Sequence, residues 1–152
     1  MNIILEGCDG TGKTTLANYL CQELGCYYWH ESVPRTKEEY TQMLSSGNDI
    51  VFDRFCYGQF VYNQEAERKL SLQDLIELQA TVFPYTKTIV LYVDADSETI
   101  AKRMESRNEY PAGVTSHEEL VRWVKNIRGT YRSLFQRAGT KFININGVES
   151  KL

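Results

Sequence analysis

The feature that most constrains this chain lies near its amino terminus, where Gly7-Cys8-Asp9-Gly10-Thr11-Gly12-Lys13-Thr14 fills the pattern G-x-x-x-x-G-K-[ST] at every required position. The pattern has a physical mechanism only when a strand leads into it and a helix leads out, so that helix amides and the helix dipole point at the anion that the turn encloses. Both flanks comply. Asn2 to Glu6 reads as a short apolar strand, and Lys13 to Leu24 carries Leu16, Leu20 and Leu24 at i, i+4 spacing before Gly25 stops the helix. The glycines let backbone amides curl around phosphate oxygens, so nucleotide phosphates are expected along Gly7, Asp9, Gly10, Thr11, Gly12, Lys13, Thr14 and Thr15. Lys13 is placed to reach a transferred phosphoryl group, and the Thr14 hydroxyl to coordinate Mg2+ beside ATP.

The rest of the chain keeps alternating. Strands are expected at 26–29, 50–52, 88–93 and 141–145, and helices at 37–44, 57–69, 71–82, 97–107 and 116–137, the last opened by a Ser116/Glu119 capping box. About five strands interleaved with helices imply a parallel sheet covered on both faces, an α/β P-loop NTPase arrangement whose ligands belong at the carboxyl ends of the strands. The length of 152 residues suits one domain over 1–152, with a single core and a single site.

Composition removes several alternatives. A hydrophobic content of 42% and a charged content of 24% belong to a globular chain rather than a disordered one, and a formal net charge of −3 argues against a nucleic acid polymer as partner. The longest apolar run, Ile89 to Val93, is far short of a membrane span, and no signal-peptide plan opens the chain, so a cytoplasmic location without a membrane partner is expected. Cys8, Cys21, Cys26 and Cys56 form no C-x-x-C pair and are read as free thiols; His30 and His117 are too isolated to suggest a metal site. No N-K-x-D segment for reading guanine is present. Phosphate loops also serve switches and motors, so the motif settles the cofactor class and leaves the reaction open.

A second constellation narrows the reaction. Asp53-Arg54-Phe55 follows the strand 50–52, placing an acid and a fixed cation at a strand carboxyl end near the phosphate loop, where Asp53 can join Thr14 as a metal contact. Together, Glu6 to Thr15 and the stretch Asp53-Arg54-Phe55-Cys56-Tyr57-Gly58-Gln59-Phe60-Val61-Tyr62-Asn63 resemble the thymidylate kinase family and its deoxynucleoside kinase relatives. The resemblance implies that Arg54 binds the acceptor phosphate, that Phe55, Tyr62 and Asn63 line the base pocket, and that Asp9 hydrogen-bonds the sugar hydroxyl. It departs at Gly58, where the family usually has Ser. It also implies a lid over about 103–116, in which Arg107 clamps the transferring phosphoryl group and Arg103 lies against the adenine, as in family members whose phosphate loop lacks an Arg at the positions of Gly10 and Thr11. The segment Asn144-Ile145-Asn146-Gly147 would pass the adenine ring.

The acceptor is the open point. A monophosphate is already dianionic at neutral pH and needs positioning more than deprotonation, whereas a nucleoside hydroxyl needs a general base. The segment Trp29-His30-Glu31-Ser32-Val33-Pro34-Arg35 supplies both a base candidate in Glu31 and a phosphate-binding candidate in Arg35. The expected activity is ATP-dependent phosphorylation of a deoxynucleoside monophosphate of the dTMP type, with catalytic roles for Lys13, Asp53, Arg54 and Arg107. A deoxynucleoside kinase using Glu31, and a non-enzymatic nucleotide switch, are the alternatives. Leu72, Leu75, Ile76, Leu78 and Val82 make 71–82 apolar enough for the core or for a homodimer interface.

Overall fold

The computed structural model describes residues 1–146. Five strands, β1 (Asn2–Glu6), β2 (Tyr27–His30), β3 (Ile50–Asp53), β4 (Thr88–Asp94) and β5 (Ile143–Asn146), form one sheet in the order β2-β3-β1-β4-β5, with every pair parallel. The motif-bearing strand β1 is therefore central, and the start of the phosphate loop is held from both sides. Its run Asn-Ile-Ile-Leu-Glu is buried throughout, as expected of a strand covered on both faces.

Six α-helices connect the strands: α1 (Lys13–Leu24), α2 (Lys37–Leu44), α3 (Gly58–Tyr62), α4 (Leu72–Glu77), α5 (Ser97–Ser106) and α6 (His117–Ala138). On one face, Leu16 and Ala17 of α1 pack on Ile3, Leu5, Val51, Leu91 and Val93. On the other, Ile4, Phe52, Val90 and Tyr92 meet a larger core built from α2, α3, α4, α5 and α6. Leu75 and Leu78 are fully buried in that core, and Leu72, Ile76 and Val82 pack against it, so the apolar segment 71–82 is used internally.

Local chemistry explains where the elements differ from expectation. The helix expected over 57–69 breaks at Asn63, whose backbone is extended, and resumes only as a 3-10 turn at Glu65–Glu67. Buried Gln59 drives the break. Its amide donates to the Arg35 carbonyl (2.7 Å) and the Tyr40 hydroxyl (2.8 Å) and accepts from Lys69 N–H (2.8 Å), which folds 63–69 back toward α3. The helix expected over 71–82 widens into a π turn at Leu78–Val82, where Gln79 donates to the Ala138 carbonyl at the end of α6 (2.8 Å). Ser116 caps α6 as expected, but Glu119 reaches back to Thr115 N–H (3.0 Å) instead of closing the box on Ser116. Gly147, the last residue of the expected adenine loop, lies outside the described residues.

The exit from β1 demands glycine. Gly7 has φ of 148°, and a Cβ built on it would lie 2.3 Å from the Val93 carbonyl oxygen of β4. Gly7→Ala is therefore expected to remove about 2 kcal/mol or more of stability through backbone strain and overpacking, read as a lower midpoint in urea denaturation.

Candidate active site

The phosphate loop runs from the end of β1 to the start of α1 and is closed on itself by the Thr11 hydroxyl, which donates to the Cys8 carbonyl (2.9 Å). Cys8 is buried, and burial, with Asp9 adding to it, pushes its thiol up to about 12, so it is a packed small residue and not a nucleophile. A cavity of about 140 Å³ opens over the loop, lined by Asp9, Gly10, Gly12, Lys13, Thr14 and Thr15, with Arg107 and Glu109 entering from beyond α5. Arg103 stands next to it, donating to the Gly10 carbonyl (3.3 Å). The loop and the basic end of α5 thus share one space.

Asp53, the last residue of β3, projects into the base of this site. It is fully buried and does not pair with its neighbour Arg54; Lys13 Nζ lies 3.5 Å from its Oδ1 instead. Its Oδ2 accepts from the Thr14 hydroxyl (2.8 Å) and the Tyr28 hydroxyl (2.6 Å), with His30 Nδ1 at 3.7 Å. Burial opposes ionisation of Asp53, but the Lys13 charge and the two hydroxyl donors outweigh it and hold the carboxyl below its ordinary value. Burial and the nearby Arg54 push Lys13 the other way, below the usual lysine range. Oδ1 of Asp53 has no hydrogen-bond partner among the described residues. Among the described residues no three His, Cys, Asp or Glu side chains converge as a metal cage. A hydroxyl and a carboxylate with an open oxygen, beside a phosphate cavity, do fit Mg2+, which keeps few protein ligands and takes others from phosphates.

Arg54 turns the chain immediately after β3. Its N–H still pairs with the Leu5 carbonyl (2.8 Å), its φ is 67°, and the next N–H, of Phe55, donates to Glu6 Oε2 (2.9 Å). The left-handed conformation is uncommon for a side chain of this size and is held here by β1 on one side. The guanidinium pairs with the Asp9 carboxylate and stacks 4.0 Å above the Tyr62 ring. Glu6 Oε1 accepts from the Tyr131 hydroxyl of α6 (2.9 Å), so one buried carboxylate ties the central strand, the Arg54 turn and α6 together.

A second, smaller cavity lies on the far side of Arg54, lined by Arg54, Phe55, Gly58, Gln59, Tyr62 and Asn63 and by the segment Glu31 to Pro34. Asp9 lines the phosphate cavity and Arg54 the second one, so their ion pair joins the two spaces. Glu31 is buried and has both oxygens engaged: it accepts from Arg35 Nε (2.9 Å), Trp29 Nε1 (3.2 Å) and Val33 N–H (3.3 Å). Phe55 is mainly a core ring, packed at tilted angles against Phe52 and Tyr40 with centroids 4.5 and 4.6 Å away. Among the described residues the buried Tyr62 hydroxyl has no partner, and Asn63 donates to Glu67 (3.4 Å). A Cβ added at Gly58 would meet nothing within 4 Å, so the missing side chain leaves open space.

The profile of the family described as thymidylate kinase matches residues 23–151. The chain belongs to the thymidylate kinase family. It is accordingly an enzyme of the nucleoside monophosphate kinase class, a phosphotransferase that acts on nucleotides. The match begins after the phosphate loop, so the family and the Gly7–Thr14 motif are independent observations. A probable thymidylate kinase of Methanococcus vannielii is 25% identical over 169 residues, covering 92% of this chain and 80% of that protein. The SPbeta prophage protein YorR of Bacillus subtilis is 30% identical over 147 residues, covering 85% and 84%. The crystal structure of YorR in complex with phosphorylated GDP superposes with a TM-score of 0.75 at 24% identity, over 99% of this chain and 90% of that one. The deoxyadenosine kinase of M. mycoides with bound dCTP shares the fold at a TM-score of 0.57 and 19% identity, over 100% and 92%. No helix among the described residues is long and apolar enough to cross a membrane.

Most expected site residues line one of the two cavities; Gly7, Thr11, Asp53, Arg103 and Arg35 line neither, and of these Asp53 meets the site through Lys13 and Thr14, Arg103 through the Gly10 carbonyl, Thr11 through the Cys8 carbonyl, and Arg35 through Glu31 and through its own carbonyl to Gln59. Sequence reasoning missed Glu6 and Tyr28. A carboxylate ending an otherwise apolar central strand was a usable signal for Glu6, whereas Tyr28 becomes visible only when β2 is known to pair with β3.

Burial pushes Glu6 up to about 7 from an ordinary 4.5 despite its hydrogen bonds. The folded chain then holds more protons than the unfolded one between those values, so Glu6 lowers stability as pH rises from 4.5 to about 7, by on the order of 3 kcal/mol, with no further loss above. Glu6→Gln, which mimics the protonated group, should flatten the pH profile of the unfolding midpoint in that window; parallel profiles would contradict the assignment.

Proposed function

We propose that this member of the thymidylate kinase family transfers the γ-phosphoryl group of ATP to a deoxynucleoside monophosphate, with dTMP or a related pyrimidine deoxynucleotide as acceptor and Mg2+ as cofactor. The observation that carries the reading is the Arg54–Asp9 pair at the junction of the two cavities, with the phosphate loop on one side and an aromatic pocket on the other. Donor and acceptor then meet where the protein already holds a cation.

Lys13 and the amides of Gly7 to Thr15 hold the donor phosphates, and Thr14 and Asp53 hold the metal. Magnesium supplies charge neutralisation at those phosphates. Arg107 faces the same cavity and supplies a further cation to the transferring group when the 103–116 segment acts as a lid, with Arg103 beside the donor nucleotide. On the acceptor side Arg54 binds the monophosphate, Asp9 turns to the sugar hydroxyl, and Phe55, Tyr62 and Asn63 border the base. The acceptor dianion needs orientation more than a base, which suits a site whose cation is fixed by stacking on Tyr62. Glu31, with Arg35, shapes the pocket wall. Both of its oxygens are already engaged by donors of its own segment, and this favours the monophosphate over a nucleoside.

An acceptor panel of monophosphates and nucleosides in a coupled ADP-release assay tests the reading. Acceptor-stimulated turnover is expected with a deoxynucleoside monophosphate, and none with any acceptor would leave only a nucleotide switch. Lys13→Ala should lower kcat by about 10²- to 10³-fold. Arg54→Ala should lower kcat/KM for the acceptor by a comparable factor, roughly 10²-fold or more, from the loss of a charge-assisted contact. Glu31→Gln should stay within about tenfold of the parent, whereas loss of a general base is worth about 10²- to 10⁴-fold. A large Glu31 effect with a small Arg54 effect would reverse the choice of acceptor.

A further inference from the structure

The edge strand β2 presents Tyr28 and His30 on one face, two residues apart, and its register sets them beside Val51 and Asp53 of β3. All four residues of β2 are exposed, yet the Tyr28 hydroxyl is not directed to solvent; it donates to Asp53 Oδ2 at 2.6 Å. Thr14 donates to the same oxygen at 2.8 Å. The two donors saturate Oδ2 and leave Oδ1, on a fully buried residue, without a hydrogen bond, 3.5 Å from Lys13 Nζ.

We propose that Tyr28 is a positioning residue for the metal–nucleotide site: its hydroxyl locks the Asp53 carboxylate so that Oδ1 is the oxygen offered to the Mg2+–phosphate assembly. The proposal rests on the reading of Thr14 and Asp53 as the metal contacts. Two features support it. A carboxylate held by Thr14 alone is free to rotate about its last torsion and exchange its oxygens, whereas a second donor in line fixes the plane. Because Thr14 spends its proton on Asp53, the lone pairs of its own oxygen stay available to a cation. His30, at 3.7 Å, is too far to replace the Tyr28 hydroxyl. Outer partners of metal-binding carboxylates and imidazoles commonly tune affinity in this way.

The test uses Tyr28→Phe, which removes only the hydroxyl of a half-exposed ring. Binding of Mn2+ to the ADP-loaded protein is measured by electron paramagnetic resonance, and binding of ADP without metal by calorimetry. The variant should bind Mn2+ roughly tenfold more weakly, with metal-free ADP affinity unchanged. In turnover it should need a correspondingly higher Mg2+ concentration for half-maximal rate, with the acceptor KM unaltered. Equal Mn2+ binding by variant and parent overturns the role of Tyr28 alone, and so does a parallel loss of metal-free ADP binding, which would mark a general defect of the loop. A parent protein whose ADP complex binds no Mn2+ overturns the metal-site reading itself.

Discussion

One buried carboxylate, Glu6, holds the catalytic end of the molecule together. It closes the central strand, accepts the N–H that follows Arg54 and accepts the hydroxyl of Tyr131 from the longest helix. A carboxyl group with no exposure is tolerated only when such partners replace water, and the burden of burial is visible in its raised pKa. The return is geometric. Phe55 cannot leave β1, so Arg54 keeps its left-handed turn and its guanidinium is carried over Tyr62 toward Asp9.

From that fixed turn follows the division of the site. Asp53 points to the phosphate loop and meets Lys13 and Thr14, while Arg54, one residue later, points to the second cavity. Adjacent residues with opposite charge would satisfy each other on an ordinary surface, and here the backbone keeps them apart and gives each a partner on the loop. The Asp9–Arg54 pair is then a brace between the loop and the turn, and under the proposed function an acceptor phosphate would compete with the Asp9 carboxylate for the same cation.

Much of this was legible in the sequence because it depended on local rules. The phosphate loop, the α2 span Lys37–Leu44 and the caps at Ser71 and Ser116 are set by spacing and side-chain type, and they stand where expected. The strands moved by at most two residues, with β2 and β3 each extending one residue further toward the site. What escaped depended on distant partners. The break at Asn63 follows from Gln59 bonding across the chain to Arg35 and Tyr40, and the π turn from Gln79 reaching α6. Tyr28 could not be assigned without knowing that β2 lies beside β3, since an aromatic strand at a sheet edge reads the same whichever neighbour it has. Glu31 was legible as a candidate, but its three donors were not.

The central claim is that one site joins a nucleotide phosphate donor to a monophosphate acceptor across the Asp9–Arg54 seam. A single-turnover experiment tests it most directly: the protein, in excess over γ-phosphate-labelled ATP, is mixed with Mg2+ and dTMP, quenched, and the products are separated. The account predicts that the label moves directly into a deoxynucleoside diphosphate. Label found only in inorganic phosphate, or moving to thymidine but not to dTMP in the matched reaction, would contradict it.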